Sequence, residues 1–322
     1  MKLIDLHCDT IGKLMDQKDA GDLMTNRHSI SIEHMEKAGT KAQFFACFTC
    51  FGNYENGNGY EDAYQRAEQM IAFAKEQFEI YQSRIRLAHS WQEIVENAED
   101  GKISAILTIE EGGVLNGRME RLTSLYQEGV RLMTLMWNYE NCLGHPNSWD
   151  AGMMEKGLTP FGIETVTRMG ELGMIADVSH ASDGTFWDIL KYAKGPVVAS
   201  HSNCRNLCNH PRNLTDEMIR ALAEQGGVAG LNFFGPFLGT TKESKIEEMT
   251  AHILHMIQVG GSEFPAIGTD FDGIDGLERL DIPNASAMEL LWEALKKKRL
   301  SQGQLDKIWG ENVERVLCEV LA

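Results

Sequence analysis

Five stretches of this chain place histidine or acid side chains directly after a short apolar run: His7-Cys8-Asp9, Glu110-Glu111-Gly112-Gly113, Ser179-His180, His201, and Thr269-Asp270-Phe271-Asp272-Gly273. Imidazole and carboxylate groups are the usual ligands of borderline divalent ions. In a strand, side chains two apart share a face, so His7 and Asp9 point together and Cys8 points away. Taken singly, each histidine fits an ordinary hydrogen-bonded strand end. Brought together from separate strand ends, they describe a metal site. His7, Asp9, Glu111, His180 and His201 are more ligands than one tetrahedral zinc uses, whereas two ions sharing a carboxylate use all of them. Charge agrees. Asp9, Glu111, Asp270 and a bridging hydroxide nearly offset two divalent cations, giving a site that can exist away from water. Water held there would ionise near pH ~7 and serve as a nucleophile.

Such convergence requires elements that deliver the residues to one place. Leu3, Ile4 and Leu6 form a run too brief for helical periodicity and suited to a buried parallel strand. A second strand is predicted around residues 42–49, followed by loop composition over residues 51–60 and a helix over 61–81. Further strands are predicted over 103–108, 131–137, 174–179, 197–200, 228–233 and 266–269. Helices between them cover 119–129, 161–172, 184–193, 215–225 and 245–259, with Thr215 as an N-cap and glycines as stops. Residues 283–321 read as helical with a break near 300–303. Eight strands alternating with helices specify a parallel sheet. At this length they fit one closed (β/α)8 TIM-type barrel with additional helices, a single domain over residues 1–322. An open doubly wound sheet is the alternative, but its glycine-rich fingerprint is missing after the first strand. In a barrel the strands' C-terminal ends carry the active site, and the histidines and acids lie at those ends.

Composition narrows the function. The chain has 322 residues, 43% hydrophobic, with a net charge of −17. That charge opposes nucleic acid and anionic membrane surfaces as partners. No apolar run is long enough to span a bilayer and no signal-peptide pattern precedes the first strand, so a cytoplasmic protein is expected. Seven cysteines include one CxxC pair, Cys47 and Cys50. A zinc ribbon needs a second pair, and a thioredoxin motif should open a helix, so reduced, mostly buried thiols are expected. Cys204 and Cys208 are read the same way.

The segments LIDLHCDT, IEEGGVL, EGVRLMTLMWN, ELGMIADVSH, PVVASHSNCRNLCNHPRNLTDE, AIGTDFDGI and GENVERVL resemble, in order and nearly end to end, the motifs of the membrane dipeptidase family of zinc peptidases, within the amidohydrolase-type barrels. The resemblance implies a binuclear zinc site that hydrolyses dipeptides through a metal-bridging hydroxide. It assigns His7 and Asp9 to one zinc, His180 and His201 to the other, and Glu111 as the bridge, with Glu110 facing away. It makes Asp270 the proton carrier and Arg212 the partner of the substrate carboxylate, a bidentate pairing that guanidinium geometry favours. It also implies a homodimer. Mammalian members have a histidine after strand four where this chain has Trp137; Asn138 or His145 could donate a hydrogen bond instead. Two rival functions are open: a metal amidase acting on N-acyl amino acids or other small amides, and a non-catalytic metal-binding barrel.

Overall fold

The computed structural model describes residues 2–54, 59–239 and 241–322. Eight parallel strands form a ring: β1 (Leu3–Cys8), β2 (Thr40–Phe48), β3 (Ile103–Glu110), β4 (Val130–Thr134), β5 (Ile175–Asp177), β6 (Val198–Ala199), β7 (Val228–Leu231) and β8 (Pro265–Ile267). Each pairs with the next, and Asp5 of β1 pairs with Ile267 of β8 to close the ring. This is the expected (β/α)8 barrel. A further short strand, Ile85–Leu87, lies outside the ring against the first residues of β3. It was not predicted, and neither were the helices Thr10–Asp16 and Ile32–Ala38.

Each strand is buried on both faces, which is why the strands read as near-continuous apolar runs. Ile4, Leu6, Ala42, Phe44, Ile106, Leu132, Ile175, Val198, Val228 and Ala266 form one cluster that fills the lumen. Leu3, Phe45, Leu107, Met133, Ala176, Ala199, Ala229 and Ile267 face outward into the larger core shared with the helices. Those helices start where the sequence supplies caps. Thr159, Ser182 and Thr215 each accept from a backbone N–H in the first turn, and Gly173 closes the helix Pro160–Leu172 at φ 73°. The predicted break near residue 300 separates Glu289–Lys297 from the helices that follow it. The last helix, Asn312–Val320, seals the barrel floor. Val313, Val316 and Leu317 join the lumen cluster, and Asn312 Nδ2 donates to the carbonyls of Ser262 (3.0 Å) and Pro265 (2.9 Å) at the start of β8.

Counting upward in twos from the apolar floor, the lumen turns polar. Ile106 leads to Thr108 and Glu110, Ile175 to Asp177, Val198 to Ser200, and Ala266 through Gly268 to Asp270. Gly230 and Gly268 have to be glycine, because a Cβ would lie 2.0 and 1.8 Å from the Ser200 carbonyl oxygen. β1 reaches the same end through an irregularity. Asp5 pairs with Gln43 and Cys8 with Phe45, so Leu6 and His7 together stand opposite Phe44 alone. This bulge turns His7 to the lumen side that Leu6 already faces and leaves Cys8 pointing outward, its thiol against the Phe44 carbonyl (3.4 Å).

Candidate metal centre

Five of the strands end at one mouth. His7 and Asp9 come from β1, Glu110 from β3, His180 from the turn after β5, His201 from the end of β6 and Asp270 from the end of β8. His7 Nε2 is 3.4 Å from Asp9 Oδ2, 3.2 Å from Glu110 Oε2 and 3.9 Å from Asp270 Oδ1. Glu110 Oε1 is 3.1 Å from His180 Nε2 and 3.7 Å from His201 Nε2. Three sets have mutually close ligand atoms: His7, Asp9 and Glu110; Glu110, His180 and His201; and His7, His201 and Asp270. Glu110 belongs to the first two. His180 and Asp270 adopt left-handed backbone angles (φ 67° and 60°), a strain that clusters at functional sites.

The hydrogen bonds around the histidines show what this arrangement offers. Ser200 Oγ donates to Asp177 Oδ2 (2.5 Å) and so accepts from His201 Nδ1 (2.7 Å). His180 Nδ1 likewise donates to Asn138 Oδ1 (3.0 Å). With both Nδ1 atoms protonated, the two Nε2 atoms present bare lone pairs 3.1 Å apart. Neither ring nitrogen of His7 makes a sound hydrogen bond, nor does the buried Asp9 Oδ1. Orphaned acceptors converging from N and O donors fit divalent cations of the zinc class, and the oriented Nδ1 atoms are the outer support that such ligands need. Titration tells the same story. Burial, reinforced by Glu110, raises Asp9. Burial also pushes Asp270 up to about 8, with Asp9 and Glu110 adding to it and His7 opposing. Burial alone would raise Glu110, but His7 and His180 outweigh it and hold that carboxyl well below its usual range. Burial and Arg212 bring His180 down to about 4.

The expectation for Glu111 is corrected. β3 ends at Glu110, whose side chain shares the lumen face with Ile106 and Thr108; Glu111 follows at φ 87° and is turned out of the lumen. Its carboxylate accepts from Gly113 N (2.9 Å), Trp137 N (3.1 Å) and Asn141 Nδ2. The local signal was present in the alternation of Ser104, Thr108 and Glu110, the polar residues of this strand on one face. His145 is corrected as well. Its Nδ1 faces the Gly157 carbonyl (2.9 Å), its Nε2 lies 3.3 Å from Glu140, and it is absent from the cavity wall. Asn138 does line the cavity, where its carbonyl is committed to His180. Arg212 is buried and, like His145, is not part of the cavity wall; it donates to Ser202 Oγ (2.8 Å) and the His201 carbonyl (3.1 Å), and its Nε–H is unpartnered.

A cavity of about 820 Å³ opens over these groups. Asp9, Glu110, His180 and Asp270 form its base, and Phe48, Trp137, Phe234 and Phe237 are aromatic parts of its wall. Phe48 and Trp137 meet edge to face at 4.9 Å, and the Arg212 guanidinium lies over the Phe237 ring at 5.6 Å. Sequence reasoning gave Trp137 no wall role and passed over Phe48, Asp177 and Ser200. Cys50 also reaches the wall, whereas Cys47 is buried in the core, and both are free thiols. No helix among the described residues is long and apolar enough to cross a membrane.

Comparison with known proteins identifies the family. The family model for membrane dipeptidase, peptidase family M19, matches residues 1–322. An uncharacterized protein of the pqqA 5′ region of Klebsiella pneumoniae is 34% identical over 262 residues, 78% of this chain and 95% of that protein. An uncharacterized dipeptidase of Schizosaccharomyces pombe is 30% identical over 297 residues, 88% of this chain and 70% of that one. Among solved structures, a metallopeptidase from Rhodobacter sphaeroides, liganded with a phosphinate mimic of the dipeptide L-Ala-D-Ala, superimposes with a TM-score of 0.90 at 21% identity. That likeness covers 100% of this chain and 99% of the other. The chain therefore belongs to the membrane dipeptidase family, peptidase family M19, and is a hydrolase of peptide bonds.

Proposed function

We propose that this protein is a dipeptidase that works with two zinc ions. The observation that carries the proposal is the pair of ligand triads, His7–Asp9–Glu110 and Glu110–His180–His201, sharing one carboxylate. One triad would hold one ion, Glu110 would bridge, and the other triad would hold the second. When bound, such a pair supplies an acidified water and polarises the scissile carbonyl. The protein's own groups do the rest. Asp270, anchored by Asn232 Nδ2 at 2.9 Å, can hold the proton released by water and pass it to the leaving amine. Arg212, oriented by Ser202 and the His201 carbonyl, offers its spare N–H groups to the substrate's terminal carboxylate, selecting peptides that end just beyond the scissile bond. The aromatic wall of Phe48, Trp137, Phe234 and Phe237 shields the reacting centre from bulk water. The dipeptide mimic held by the Rhodobacter neighbour supports the substrate class.

Metal analysis with a substrate panel tests this. Two zinc ions per chain and hydrolysis of dipeptides in preference to N-acyl amino acids are expected. His180→Ala and His201→Ala should each lose one ion and most of the activity. Full turnover with unchanged metal in either variant would refute the assignment, and tight metal with no amide hydrolysis would favour a non-catalytic barrel.

A further inference from the structure

Glu111 is fully buried, ionisable and chemically unemployed in the mechanism above, yet three donors converge on it. Oε1 accepts from Gly113 N and Asn141 Nδ2, and Oε2 accepts from Trp137 N. Asn141 ties the rest of the same loop: its Nδ2 also donates to the Leu135 carbonyl (2.9 Å), and its Oδ1 accepts from Leu143 N (2.7 Å) and Gly144 N (3.3 Å). The segment from 135 to 144 has no regular secondary structure. This one side chain and the asparagine beside it hold its first half, while Thr159 ties the Cys142 and Leu143 carbonyls from outside. Two residues of that segment reach the site. Trp137 forms part of the cavity wall, and Asn138 takes the Nδ1 proton of His180.

We propose that Glu111 is a positioning residue that folds the 135–144 loop over the site, fixing Trp137 in the wall and Asn138 against His180 so that the imidazole presents Nε2 to the second ion. The inference rests on the metal assignment above. A carboxylate suits this position because it accepts at both oxygens; a glutamine would set an N–H against one of the three donors. It also accounts for a residue at φ 87°, where an L side chain is strained: the three hydrogen bonds compensate for that backbone.

Cobalt(II) titration of the metal-free protein, followed by its visible absorption, provides the test. In Glu111→Gln the second cobalt ion should bind ten- to hundredfold more weakly, about the usual loss when a ligand's outer support is removed. Asn138→Ala should show the same defect at the same ion, with the first ion unchanged. Because both act through His180, the double variant should be no worse than the weaker-binding single one. Wild-type affinity and spectrum in Glu111→Gln, or losses that multiply in the double variant, would overturn the proposal. Should Glu111→Gln not fold, Asn141→Ala removes one donor and leaves the carboxylate; it should weaken the second ion in the same sense, and unchanged binding would again overturn it. A wild-type protein that binds no cobalt would defeat the metal assignment itself, whereas wild-type binding with unaltered variants defeats only the role of Glu111.

Discussion

Two adjacent glutamates with opposite fates show how much a single backbone angle decides. Glu110 ends a regular strand and enters the lumen; Glu111, one residue on, adopts φ 87° and leaves it. Glu110→Gln should therefore lose metal and cut kcat/KM by about a hundredfold or more, the scale of removing one charge-stabilising group from an active site. Metal analysis and dipeptide kinetics check both effects. The titrations make a second prediction for metal-free protein. Burial raises Asp270 to about 8 and Glu111 to about 7. A carboxyl raised in the folded state contributes stability below its unfolded pKa, and that stability is lost as pH climbs through the folded value. His7, raised because Glu110 and Asp9 outweigh its burial, adds to the same slope. Burial lowers His180 and His201, which slope the other way, but that slope ends near ~6.5. From there to pH 8 the Asp270 loss alone is worth about 2 kcal/mol. Bound zinc favours the ionised carboxyls, so thermal midpoints should fall with rising pH in EDTA and stay nearly flat with zinc.

At the level of elements, the legible parts of the chain were those in which a short apolar run abuts a histidine or an acid. His7, Asp9, His180, His201 and Asp270 were readable because composition marks a buried strand and barrel geometry says which end matters. Glu110 was missed because the choice between neighbours depends on where β3 stops, and the register of β3 against β2 and β4 settles that. His145 was misplaced, and the wall role of Trp137 went unseen, because both lie in irregular backbone folded by distant partners. The close approach of β6 to β7 and β8 was equally hidden, although it makes a clear prediction. Gly268→Ala would drive a Cβ to 1.8 Å from the Ser200 carbonyl, beside His201. A loss of about 3 kcal/mol is expected, measurable as a lower urea midpoint, together with weaker binding of one ion. At the floor, Leu317→Ala should cost about 2–5 kcal/mol by opening a cavity under the lumen while leaving metal stoichiometry unchanged.

For the molecule as a whole, the proposed metal binding is coupled to folding. The proposed ligands, from four separate strand ends, cannot assemble in an unfolded chain, so zinc at a thousandfold excess over its dissociation constant should add about 4 kcal/mol of stability. Calorimetry with and without chelator measures that increment. The ring closes late as well. β1 meets its final neighbour only at β8, where Asp5 pairs with Ile267 and accepts from Thr269 N (2.9 Å) and Oγ1 (2.7 Å). During synthesis His7 and Asp9 emerge first and then wait for some 260 residues to leave the ribosome before the partners on β8 exist. The carboxylate shared by the two triads follows at residue 110 and their last histidine at 201, so every proposed ligand is made before the strand that closes the ring around them.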